Sequence, residues 1–188
     1  MIDRNLSSPG FRTFFVSNEQ SNCSLLSEII RVGKKFEEIN LLEGAMGVIS
    51  LAYGKRVLIN SSTIDLGVLK REDILEIVDY NPVKKIVLAI GQKEPNAETP
   101  VHWLIHRTRN DVNAIIQLNG EKNLEKISKN LPVTEKEYPP GTFELTKEVL
   151  KTLKTGKRVV IKNRGILFVG TSLKEVEDLV LKTYEESK

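Results

Sequence analysis

Two β-rich runs, Gly47–Tyr53 and Arg56–Asn60, are separated only by Gly54 and Lys55. A two-residue connection is too short to cross over a sheet, so it joins antiparallel neighbours. Glycine in its first position supplies the positive φ that such a turn needs. This single feature excludes an all-parallel sheet. It directs the chain toward an α+β-like architecture, an antiparallel sheet with helices on its faces.

The rest of the chain fits that frame. Leu25, Leu26, Ile29, Ile30, Phe36 and Ile39 recur at three- and four-residue steps, which predicts an amphipathic helix with Ser24 as its N-cap, fading near residues 41–44. Residues 71–75 read as a short helix. Residues 86–90, 114–118, 159–161 and 166–169 read as strands. Asn96 is expected to cap a helix running to about Arg109, with Pro100 accommodated in the first turn. A brief helix is expected over 123–130, a turn at 138–141, and a helix from Thr142 or Thr146 through Leu153. Ser172 and Glu175 form a capping-box pattern for a last helix. Residues 1–23 are polar apart from Phe11, Phe14, Phe15 and Val16, and read as a short edge strand or an arm packed on a neighbour. The domain expectation is an N-terminal arm, 1–23, and one domain, 24–188.

Composition narrows the function. The net charge of +3 is spread over interleaved Lys, Arg, Asp and Glu rather than gathered in a stripe, which argues against a nucleic-acid partner. No apolar run approaches a membrane span, and the first residues lack a signal core, so a cytoplasmic location is expected. Cys23 is the only cysteine, so neither an internal disulfide nor a cysteine zinc site is available.

Three segments carry the remaining information. They are Pro95-Asn96-Ala97-Glu98-Thr99-Pro100-Val101-His102, then Ala114-Ile115-Ile116-Gln117-Leu118-Asn119, then Asn163-Arg164-Gly165 running to Gly170. In order and spacing they resemble the signature of the class II aldolase/adducin family: P-S-S-E-T-x-x-H, A-x-x-H-T-H and N-H-G-x-x-x-x-G. Gly47-Val48-Ile49-Ser50 is similar to the family's G-N-I-S. Residues 140–145 are similar to its P-G-S-x-E-L. The resemblance covers roughly residues 25–185. It implies a three-layer sandwich with a mainly antiparallel central sheet, and a homo-oligomer, often a tetramer.

The resemblance implies Glu98 as the catalytic acid/base. The three histidines that hold zinc in the family are replaced by Gln117, Asn119 and Arg164. Amides are weak, neutral ligands, and a guanidinium cannot ligate at all. No metal cofactor is therefore expected, although the family would imply zinc. A carboxylate left without its cation must be protonated, hydrated or paired, and Arg164 is expected to pair with Glu98. Asn60, Ser61 and Ser62 align with the family's phosphate loop. With Asn96 and His102 they are possible ligand or anion contacts. The family's donor tyrosine has no counterpart in residues 120–137. Glu98, His102 and His106, four apart on one helix, also leave open a relocated metal site, against the plainer alternative of hydrogen-bonded core histidines.

The function expected from these residues is metal-independent or non-catalytic binding of a small molecule, a sugar or sugar phosphate. The alternatives are an aldolase- or epimerase-like enzyme working through a rearranged site and, more weakly, a structural interaction domain as in adducin.

Overall fold

The computed structural model describes residues 10–41, 47–61, 65–120, 127–128 and 130–186. Its centre is an open eight-stranded sheet in the order β1-β5-β4-β3-β2-β6-β8-β7. The strands are β1 Arg12–Ser17, β2 Gly47–Tyr53, β3 Arg56–Asn60, β4 Ile74–Asn81, β5 Ile86–Ile90, β6 Ala114–Asn119, β7 Arg158–Ile161 and β8 Gly165–Gly170. Only β1 and β5 pair in parallel; the other neighbours are antiparallel. The β2–β3 hairpin closes at Tyr53 and Arg56, with Gly54 at φ +57.

Helices cover both faces. α1 Leu26–Glu38 and α4 Leu173–Glu185 lie on one, and α2 Thr99–Thr108 and α3 Phe143–Leu153 on the other. Strand alternation divides the core accordingly. Ile49, Leu58, Ile116 and Phe168 pack with Leu26, Phe36 and Val180. Ile115, Leu167 and Val169 pack with Val101, Val149 and Leu153. Val48, Ile59 and Leu75 join Trp103 in a third cluster. On the first face, buried Glu177 of α4 receives Arg31 at 2.8 Å and Lys35 at 2.5 Å from α1.

Several expectations change at the element ends. α1 begins at Leu26 with Leu25 in the cap position and no side-chain cap bond; Ser24 instead accepts, through its carbonyl, the Ser27 hydroxyl at 2.7 Å. The helix stops at Glu38 because Asn40 adopts φ +50, and Leu41 N–H returns to Phe36 O at 2.9 Å. Asparagine tolerates this left-handed position, and the returning bond satisfies a terminal carbonyl. Residues 42–46 lie outside the described residues.

Residues 71–75 do not form a helix that continues. A single 3-10 turn, Arg71–Asp73, is closed by Lys70 N–H donating to Asp73 Oδ2 at 2.8 Å, and Ile74 and Leu75 open β4. Glu76 gives that stretch a helical look. Inside the sheet it is buried and paired to Arg56 at 2.6 Å, and it accepts the Ser21 hydroxyl. Residues 12–17 form the sheet's edge strand, the first of the two alternatives for that segment. Thr142 caps α3 by accepting from Leu145 N–H at 3.2 Å. Ser172 caps α4 by accepting from Glu175 N–H, while Glu175 accepts from Thr171 rather than completing the box. Most of the helix expected over 123–130 lies outside the described residues.

Candidate functional site

The site forms where α2 begins against the ends of β3, β6 and β8. Asn96 makes the entry turn: its side-chain oxygen accepts from Glu98 N–H at 3.0 Å, and its carbonyl from Thr99 N–H at 2.9 Å. α2 then runs Thr99–Thr108, shorter than a helix starting at Asn96, with Pro100 in its first turn, where the missing N–H breaks no bond. The Asn96 side chain is thus engaged by the turn. Ser61, just past β3, bridges to Pro95 and brings the two segments side by side.

Gly165 controls the approach of β8 to β6. It stands opposite Asn119, and a Cβ there would collide with Leu118 O and crowd Asn119 Oδ1. With no side chain at that position, the 162–164 turn, with Asn163 at φ +55, sits close beside the end of β6. From this turn Arg164 reaches Glu98 and forms an ion pair through Nη1 and Oε1. Glu98 is buried and Arg164 is about a quarter exposed, with side-chain accessibilities of 3% and 24%. The guanidinium compensates the charge of a carboxylate that would otherwise be buried unpaired, as expected from the sequence.

Burial pushes the Glu98 carboxyl above its ordinary range; the Arg164 charge, its hydrogen bond and the Gln117 amide pull it back only in part. Among the described residues, Oε2 of Glu98 is buried without a hydrogen-bond partner. So are Ser61 Oγ and Thr99 Oγ1, from the same junction of β3 and α2. Unpaired buried oxygens are uncommon in folded proteins and carry a desolvation cost. Three on adjoining segments give this point an unused capacity to bind polar groups.

Gln117 and Asn119 project from the same face of β6. Their side-chain amides meet at 2.9 Å, and Gln117 stands 3.4 Å from His102 Nε2. Behind them His102 and His106 both reach Ser50 of β2, at 2.8 Å from His102 Nδ1 and 2.9 Å from His106 Nε2. His106 Nδ1 faces Val112 O at 3.2 Å. Burial is the main cause that lowers both imidazoles, His102 to about 3 and His106 to about 4, so both are neutral at pH 7.

The candidate residues therefore divide. Glu98, Arg164, Gln117, Asn119 and His102 come together. Asn60 does not join them: its oxygen accepts from Ile49 N–H at 2.7 Å, and its nitrogen donates to Gly47 O and Ser61 O at 3.2 and 3.3 Å. It staples β2 to the end of β3. Ser62 lies outside the described residues. Sequence reasoning missed Ser50 as the shared partner of both histidines. A hydroxyl inside an otherwise apolar strand was the available signal. Among the described residues, no group of three or more His, Cys, Asp and Glu is arranged to hold a metal ion. No described helix is long and apolar enough to cross a membrane.

Comparison with known proteins agrees with this layout. The model of the Class II Aldolase and Adducin N-terminal domain matches residues 27–118. The chain is similar to L-fuculose phosphate aldolase from Methanocaldococcus jannaschii, 26% identical over 162 residues, covering 78% of this chain and 84% of that protein. The corresponding protein of Methanococcus maripaludis is 23% identical over 173 residues, covering 84% and 89%. Among solved structures, an L-fuculose 1-phosphate aldolase superposes with a TM-score of 0.74 at 22% identity, covering 89% of this chain and 85% of that one. Family model, relatives and fold together support a member of the class II aldolase/adducin family.

Proposed function

We propose that this protein binds a small polar molecule, of the sugar or sugar-phosphate type, without a metal ion. The observation that carries the reading is the Arg164–Glu98 ion pair. A zinc site needs neutral imidazoles or anionic donors around an open position. Here a permanent cation sits on the carboxylate, and two amides stand beside it. This donor set does not fit zinc. The polar capacity around Ser61, Glu98 and Thr99 fits a hydroxyl-rich ligand instead. The bound ligand would supply the partners those buried oxygens lack.

A second reading is favoured by one feature, the raised Glu98 carboxyl with its free Oε2. A carboxyl held above its ordinary range by burial can move a proton, which suits an aldolase- or epimerase-like enzyme with a rearranged site. The relatives named L-fuculose phosphate aldolase point to the substrate to try first.

One purification decides between the two. Elemental analysis should find no stoichiometric zinc, and L-fuculose 1-phosphate should not be cleaved above background with or without added zinc. Calorimetry should still detect its binding, or that of a related sugar phosphate. About one tightly held zinc per chain, with turnover abolished in Glu98→Gln, would overturn the proposal in favour of the enzyme. Restoring the three imidazoles together, Gln117→His, Asn119→His and Arg164→His, should raise zinc affinity over the parent.

A further inference from the structure

The polar string behind the site has one fixed end. Val112 O can only accept, so the His106 Nδ1 that faces it at 3.2 Å must carry a proton. In a neutral ring that leaves His106 Nε2 as an acceptor. Ser50, 2.9 Å away, must then donate its single hydroxyl proton to His106. With that proton used, Ser50 Oγ can only accept from its other partner, so His102 Nδ1, at 2.8 Å, carries the proton. His102 Nε2 is left as a bare lone pair directed at the Gln117 amide, 3.4 Å away.

Two acceptors do not face each other without cost, so the Gln117 atom next to His102 Nε2 must be its nitrogen. In the opposite arrangement the Gln117 oxygen faces His102 and its nitrogen faces Asn119. A half-turn of each amide exchanges oxygen and nitrogen and leaves every other atom in place; it also turns the Gln117 nitrogen away from Glu98, leaving Arg164 as the donor to that carboxyl. After both half-turns Gln117 donates to His102 and accepts from the Asn119 nitrogen across the same 2.9 Å. Asn119 is then left with its carbonyl oxygen as the free end. That end has no hydrogen-bond partner among the described residues, and Asn119 is partly exposed at the end of β6, opposite Gly165.

We infer that Ser50, His102 and His106 are positioning residues that pass the polarity of the Val112 carbonyl along to Asn119, which presents a hydrogen-bond acceptor to the site. The ligand group that meets Asn119 is therefore a donor, a hydroxyl, and not a phosphate or carboxylate oxygen. This rests on the small-molecule reading above only for the word ligand. The arrangement of protons is a property of the free protein.

Nitrogen-15 NMR of the two imidazole rings, on ligand-free protein at pH 7, tests it directly. Both rings should show the Nδ1–H pattern. A His102 ring in the Nε2–H form, or a His106 imidazolium, would overturn the inference, because either reverses the string and turns the Gln117 oxygen toward His102. In Ser50→Ala the link is cut. His106, held by Val112, should keep its Nδ1–H pattern, and His102 should lose its fixed one. A His102 ring unchanged in a folded Ser50→Ala protein would show that Ser50 transmits nothing. Should that variant fail to fold, the wild-type spectrum alone still decides. None of these spectra involves a ligand, so they stand or fall separately from the binding proposal.

Discussion

At the scale of single residues, the Glu98–Arg164 pair has consequences that can be measured. Removing one partner of a buried pair leaves an uncompensated charge, and its cost exceeds the net worth of the pair. Arg164→Ala should therefore lower unfolding stability by about 3 kcal/mol at neutral pH, read from urea melts. Its pH dependence has a definite sign. The folded-state Glu98 carboxyl is raised, first by burial. The folded protein holds that proton to higher pH than the unfolded chain does. Its contribution to stability is complete below the ordinary carboxylate range and is lost as pH rises through the raised folded value. Without Arg164 the shift is larger, so the variant should lose more stability between pH 4 and pH 8 than the parent. Adding Glu98→Gln to Arg164→Ala should recover much of the loss at pH 8. No recovery would mean that Arg164 stabilises by packing rather than by charge.

At the scale of elements, the junction of β2, β3 and α2 matters most. Asn60 is fully buried and holds three backbone groups across that junction. Asn60→Ala leaves Ile49 N–H and Gly47 O without their partner, and unsatisfied buried groups cost about 1–3 kcal/mol in total stability. A loss of about 2 kcal/mol by urea denaturation is expected, with faster amide exchange at Ile49. A neutral Asn60→Ala would return that residue to the list of possible ligand contacts. Gly165 acts on the opposite side of the site. Any side chain there pushes β8 away from Leu118 O, and with it the turn that carries Arg164.

At the scale of the whole molecule, the buried histidines shape acid stability. Both are held neutral, at about 3 and about 4, against an unfolded value near 6.5. As pH falls through 6.5 the unfolded chain takes up these protons and the folded chain does not. Stability should therefore fall from pH 6.5 toward pH 4 as the two imidazoles take up protons on unfolding, an uptake that Glu98, whose raised carboxyl releases its proton on unfolding, offsets in part. Glu177 adds to the same limb. Burial alone would raise its carboxyl, but the hydrogen bonds from Arg31 and Lys35 outweigh it and hold it low. That contribution is present above the ordinary carboxylate range and is lost as pH falls through the lowered value. Urea midpoints measured across pH 4–7 check the slope, and His106→Gln should make it shallower. A slope unchanged in His106→Gln would show that this imidazole is already charged in the folded state.

The sequence by itself determined the antiparallel character of the sheet, the β2–β3 hairpin, the capped starts of α3 and α4 and the family frame. Each of these is a local signal, a turn, a cap or a spacing, that physics reads within a few residues. The frame also put Glu98 and Arg164 in one place, because charge balance restricts what can stand beside a buried carboxylate. Only the tertiary structure decided the rest. β4 became a strand because a slot between β3 and β5 buries both its faces, outweighing the helical look of residues 71–76. Asn60 and Asn96, which read as possible ligand contacts, are engaged by backbone groups that lie near them only after folding. Ser50 gained its role from two histidines more than fifty residues away. A hydrogen bond needs about 3 Å, and contacts at that range between distant segments exist only once the core has set the register of the strands.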